Sequence, residues 1–168
     1  MEGRLFIRGC AVWRDGAVED ARSVVIEGET ILAIDSEGAL KALPGDWVCD
    51  ARGRLLAPGL FQAATSTGSP ARDRLLAATA LRRGVTSIAI DADVSGLGVR
   101  VVKAAPSSRV AVGAPADLVL WDVVPSPRFT EAQLNGAFAA WVVVGGRVVV
   151  REGQLVGADF VELAAAAR

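Results

Sequence analysis

Apolar residues fall in short bursts at both ends of the chain and in a helical rhythm in the middle. Leu5-Phe6-Ile7 and Ala11-Val12-Trp13 flank Gly9, and β-branched Ser23-Val24-Val25-Ile26 reaches the turn Glu27-Gly28-Glu29. Thr30-Ile31-Leu32-Ala33-Ile34 follows, and two such runs across a short glycine-bearing loop predict a hairpin. Leu43-Pro44-Gly45-Asp46 leads into Trp47-Val48-Cys49, and Arg52-Gly53-Arg54 turns into Leu55-Leu56-Ala57, stopped by Pro58-Gly59. The last third repeats this texture in Leu118-Val119-Leu120-Trp121, Ala139 to Val144 and Arg147 to Val150. Gly145-Gly146 between the last two is a strong hairpin signal. Glu152-Gly153 turns into Gln154-Leu155-Val156, and Phe160 to Ala167 fits a short terminal helix.

The middle changes period. From Ser69 to Arg83, Leu75, Leu76, Thr79 and Ala80 share one side of a helix, with Arg72, Asp73, Arg82 and Arg83 at its flanks. Ser69 stands at the capping position, Pro70 at the first helical position, and Gly84 at the stop. Val85 to Ile90 then alternates as a strand, while Ser95 to Ser108 is weakly patterned and predicts a loop. The fold expected is mainly β: a β-sandwich built from residues 1–60 and 108–168, with a short βαβ-like piece and one helix over 61–107, all in one domain.

Composition narrows the functional classes. Apolar residues make up 52% of the 168, and mean hydropathy is +0.39, which predicts buried surface beyond one small core and hence a subunit interface. The net charge of −1, from 18 basic and 19 acidic residues, gives no support to nucleic-acid binding. No apolar run approaches the roughly 18 residues that span a bilayer, and the N-terminus lacks a signal-peptide pattern. The two cysteines, Cys10 and Cys49, are too few for a disulfide framework and are expected as reduced core residues of a cytoplasmic protein.

Two stretches carry a family resemblance. Glu27-Gly28-Glu29-Thr30-Ile31-Leu32-Ala33-Ile34, followed by Asp50-Ala51-Arg52-Gly53 and Leu56-Ala57-Pro58-Gly59, resembles the opening of amidohydrolase-superfamily enzymes, particularly dihydroorotases and hydantoinases. Gly113-Ala114-Pro115-Ala116-Asp117-Leu118-Val119-Leu120-Trp121-Asp122 and Val143 to Gly153 resemble that family's closing strands. The resemblance implies a β-sandwich that flanks a metal-bearing (β/α)8 barrel and hydrolysis of cyclic amides. It also implies two metal-binding histidines soon after Pro58-Gly59. Ala64 and Ser66 stand at those two positions, Gln62 at that of an aspartate, and the sequence holds no histidine at all. An alanine methyl or a serine hydroxyl is a poor substitute for imidazole on Zn²⁺. The segment between Leu60 and Ser107 is also far shorter than the roughly 200 residues a barrel needs. The helix and its exit through Gly84-Val85-Thr86 resemble only the first βαβ piece of such a barrel.

What remains offers little catalytic chemistry. Asp91-Ala92-Asp93-Val94-Ser95-Gly96 matches the first half of a calcium loop, but Val102 stands where the bidentate glutamate belongs. Asp91 and Asp93 are therefore candidates only for a small-ligand or divalent-ion site. Ser66, Ser69, Ser95 and the cysteines lack a histidine base, and the only lysines, Lys41 and Lys103, have no supporting spacing. Glu19-Asp20 is expected in a solvated turn, and Gly96-Leu97-Gly98 is not a dinucleotide fingerprint. Trp13, Trp47, Trp121 and Trp141 are expected as core packing. The resulting expectation is a non-catalytic amidohydrolase-like module. It has no cofactor and serves as a homo-oligomer or as a subunit of a larger enzyme assembly. The alternatives are a small-molecule or metal-ion binding module and a residual hydrolase of carbon–nitrogen bonds.

Overall fold

Gly9 sets the geometry of the first strand. The structure is a computed structural model that describes residues 3–107 and 109–168; Ser108, at the edge of the loop expected over 95–108, lies outside them. In β1 (Leu5–Arg14), Leu5 and Ile7 face one core, then Cys10 and Val12 face it too. Strict alternation would have turned the second pair to the opposite face. A bulge at Gly9 (φ +75°) absorbs the extra residue, and the pairing register of β1 shifts between Ile7 and Cys10.

β1 forks at this bulge. On one side it pairs antiparallel with β2 (Ala17–Glu27), which continues into β3 (Thr30–Ser36) across the expected hairpin. On its other side, the first half of β1 pairs parallel with β4 (Trp47–Asp50) and the second half with β5 (Leu55–Pro58). Glu19 and Asp20 sit within β2 rather than in a turn, because Glu19 joins Arg14 and Arg22 in an ion-pair network along the strand pair.

Beyond Gly59 the chain leaves this sheet. β6 (Leu60–Ala63), α1 (Pro70–Arg82) and β7 (Val85–Ala89) form a βαβ unit with parallel strands. A short β8 (Arg100–Val101) adds a third parallel strand within the segment expected to be loop, anchored by the Val102 amide donating to the Ile88 carbonyl. The chain then returns to the large sheet as β9 (Leu118–Trp121), which pairs antiparallel with β5. β10 (Ala139–Val144), β11 (Arg147–Arg151) and β12 (Gln154–Leu155) complete that sheet. A 3-10 helix (Glu131–Leu134) and the terminal α2 (Phe160–Ala166) fill the remaining connections.

The large sheet bends until its two wings face each other. Trp47 of β4 and Trp141 of β10 lie 5.5 Å apart between ring centroids, and Thr30 bridges to Pro115. At the rim, the β10–β11 turn presses against the β2–β3 turn. Gly145 and Gly146 both take positive φ (+53° and +72°), and a Cβ on Gly146 would overlap the Gly28 carbonyl oxygen. The inner core of this sandwich includes Leu5, Ile7, Ile26, Leu56, Leu118 and Val143. Cys10 and Cys49 are free and buried there; loss of water pushes their thiols up to about 12 and about 11.

A second core lies on the outer face of β5, β9 and β10, under α1 and β7. Those strands are covered on both sides, which explains the uninterrupted apolar run Ala139–Val144. The architecture is therefore mainly β, with a sandwich assembled from both ends of the chain and a βαβ unit applied to its flank. Among the described residues no helix is long and apolar enough to cross a membrane.

The helix packs on its small-residue side. Ala77, Ala78 and Leu81 are fully buried against the sheet, while Leu75, Leu76 and Thr79 of the predicted apolar side remain half-exposed. Alanines let the helix approach the sheet closely. Between β6 and β7 packing is equally tight: a methyl group on Gly59 would overlap the buried Thr86 side chain. We expect Gly59→Ala to cost about 1–3 kcal/mol by overpacking, with Thr86→Ala in the same chain recovering most of it. Urea melts of the two single variants and the double variant check this.

Candidate functional site

The loops after β6 and β7 emerge side by side, since these parallel strands pair from Leu60–Val85 to Ala63–Ala89 and the Ala64 amide donates to the Ala89 carbonyl. This strand end holds Ala64, Ser66, Asp91 and Asp93. Ala64 packs half-buried against the second core and offers no donor atom. Ser66 is half-buried, and its hydroxyl donates to Asp73 Oδ2 at 2.7 Å. The Thr67 amide donates to Asp73 Oδ1, also at 2.7 Å, and the Gly68 amide donates to Ser66 Oγ at 3.1 Å.

Asp73 is the organising group of this loop, and it sits in the first turn of α1 at 2% exposure. A carboxylate there is favoured by the helix dipole, and it ties down the backbone entering the helix. Ser69 occupies the N-cap position but makes no capping bond with its side chain; Asp73 instead fixes the loop that leads into the helix. The Thr67 amide and then the Ser66 hydroxyl hold the Asp73 carboxyl below its usual range. Its folded-state pKa is depressed, so its contribution to stability is complete above about pH 4. That contribution is lost as pH falls through the folded value. We expect Asp73→Asn to be less stable than the parent at pH 7 and to lose less stability on acidification from pH 5 to pH 2. Thermal melts across that range measure it.

Asp91 and Asp93 follow β7 and are both exposed. Asp93 Oδ1 accepts from the Ser95 amide at 2.9 Å, a local turn bond that lowers its pKa. Asp91 lines an open cleft of about 500 Å³ with Ile90, Val101 and Lys103. Among the described residues no hydrogen bond or ion pair joins this pair to Ser66 or Asp73, and no three His, Cys, Asp or Glu side chains converge as a metal site requires. The fit of a family-type metal fails on its donors: a methyl at Ala64, and at Ser66 a hydroxyl committed to a buried carboxylate.

Sequence reasoning missed Asp73 as the centre of this cluster. The signal was local: two hydroxyl residues, Ser66 and Thr67, precede a carboxylate in the first helical turn.

Neither a protein-family model nor a curated protein sequence matches the chain. Solved structures do show similarity. A molinate hydrolase is 21% identical over 53% of this chain, with a TM-score of 0.45. An amidohydrolase from an environmental sample of the Sargasso Sea is 24% identical over 59%, with a TM-score of 0.43. A D-hydantoinase (dihydropyrimidinase) from Thermus sp. is 24% identical over 51%, with a TM-score of 0.41. The chain spans only 24%, 33% and 20% of those three proteins' lengths.

Proposed function

We propose that this chain is a non-catalytic amidohydrolase-like module that serves assembly, either as a homo-oligomer or as a subunit of a larger enzyme, in the cytoplasm. The observation that carries this reading is the Ser66–Asp73–Thr67 cluster. At the place where the family resemblance asks for metal ligands, the polar groups are spent on holding a loop to a helix. A catalytic centre needs such groups free to meet substrate or metal. The sequence contributes no imidazole to replace them.

The test is direct. The purified chain is incubated with hydantoin and with a dihydropyrimidine, with and without added Zn²⁺ or Mn²⁺, and product is followed by chromatography. The reading expects no turnover above the uncatalysed rate with either metal. Metal-dependent turnover that disappears in Asp91→Asn or Asp93→Asn would overturn it in favour of a residual hydrolase built on carboxylates.

A further inference from the structure

Arginine pairing is uneven over this molecule. Arg4, Arg8, Arg14, Arg22, Arg52, Arg54 and Arg100 each form an ion pair with a carboxylate. The helix region carries Arg72, Arg74, Arg82 and Arg83, and among the described residues none of these forms one. Arg72, Arg74 and Arg82 spend single donors on carbonyls of Ala167, Ser95 and Gly153. Arg83 is exposed, and among the described residues its guanidinium has no partner. The one acidic residue of α1, Asp73, is buried and committed elsewhere. Arg109, Arg128, Arg147, Arg151 and Arg168 form no ion pair among the described residues either, but α1 and the residue that follows it bring four such arginines together on one element.

The same helix presents an open apolar stripe. Arg72, Leu75, Leu76, Thr79, Ala80 and Arg83 follow the i, i+3, i+4 spacing of one helical face. Together with Gln62 of β6 they line a groove of about 340 Å³ beside β6, in which Ala80 is buried and Leu76 also touches the second core. Its floor is Leu75, Leu76 and Thr79; its ends are Arg72 and Arg83, roughly 16 Å apart along the axis.

We infer that this groove receives an acidic amphipathic helix of a partner protein. The inference rests on the assembly reading and specifies its partner. Apolar side chains one helical turn apart would fill the floor, and carboxylates about three turns apart would meet Arg72 and Arg83. Charge argues against a second copy of this chain as occupant. A twofold pairing of two α1 stripes sets Arg72 against Arg83 when the helices run antiparallel, and like against like when they run parallel. Either way arginine faces arginine. The groove is concave, which suits a ridge of side chains better than a flat lipid surface.

The experiment uses the full chain and two labelled helical peptides of about four turns. Both carry leucines at the stripe spacing; one has glutamates at both ends and the other lysines in their place. Fluorescence anisotropy should show the glutamate peptide binding at least about tenfold tighter, with an advantage that shrinks as salt rises. Arg72→Glu with Arg83→Glu should reverse the preference, and Leu75→Asp should weaken both peptides. If the double variant does not fold, Arg83→Gln alone should still reduce the glutamate peptide's advantage, since that side chain is exposed. Equal binding of the two peptides, indifference to the Arg83 change, or displacement of the peptide by phosphatidylglycerol vesicles would each overturn the inference. Light scattering separates its failure from that of the assembly reading. Self-assembly of a chain that binds the two peptides equally would sustain the assembly reading while overturning this groove's part in it.

Discussion

Replacing Trp121 by alanine should destabilise the fold by about 3–5 kcal/mol and lower the melting temperature by roughly 10 °C or more. Trp121 is 1% exposed and is the largest fully buried side chain. It stands on β9, in register with Leu55 of β5 and Ala139 of β10, and its ring reaches the chain reversal at the end of α1. A Cβ on Gly84 would lie 2.5 Å from the ring, and Gly84 also has a positive φ of +83°. The indole therefore joins the sandwich to the βαβ unit, and its loss opens a cavity at the centre of the second core. Trp121→Phe should cost less, because it keeps a ring and removes an indole N–H that has no acceptor among the described residues. Gly84→Ala should be severe in the parent and milder beside Trp121→Ala, since only the backbone strain survives when the ring is gone. Chemical denaturation of the four chains decides this.

Asp117→Ala should cost about 3 kcal/mol. This carboxylate is 7% exposed and takes three hydrogen bonds: two from Arg100, at 2.8 and 3.1 Å, and one from the Gly145 amide at 2.7 Å. Removing it strands a guanidinium and a turn amide. The damage should be directional: β8 is held to the sandwich through Arg100, so amide exchange at Val102 should accelerate more than exchange in β1 or β2. Asp117→Asn should fall between the parent and the alanine variant, keeping an acceptor for Gly145 while losing the charge. A uniform acceleration across both sheets would show that Asp117 supports the whole fold equally and would refute the directional account.

The strands were largely legible because their signals are local. Gly145-Gly146 declares a hairpin, and Ser23–Ile26 with Thr30–Ile34 declares another. β8 was invisible because two residues, Arg100 and Val101, carry no period, and the partner that fixes the Arg100 side chain, Asp117, stands seventeen positions away. The apolar side of α1 was legible as a pattern, but its direction was not. Periodicity shows that Leu75, Leu76 and Thr79 share a side; only the burial of Ala77, Ala78 and Leu81 in the second core shows which side faces the sheet. The candidate site followed the same logic. Ala64 and Ser66 could be identified by position along the chain, whereas the role of Asp73 depends on a side chain folding back across the helix start.

The Gly59 amide donates to the Asp117 carbonyl at 2.9 Å, so the two ends of the middle segment meet at one point of the frame. Such a clasp makes the frame nearly indifferent to what lies between. Loop-closure entropy grows only with the logarithm of length, about 0.6 kcal/mol for each doubling. Insertions or deletions between residues 60 and 116 are therefore limited by how well the inserted piece covers the second core, and very little by the cost of closing the chain around it.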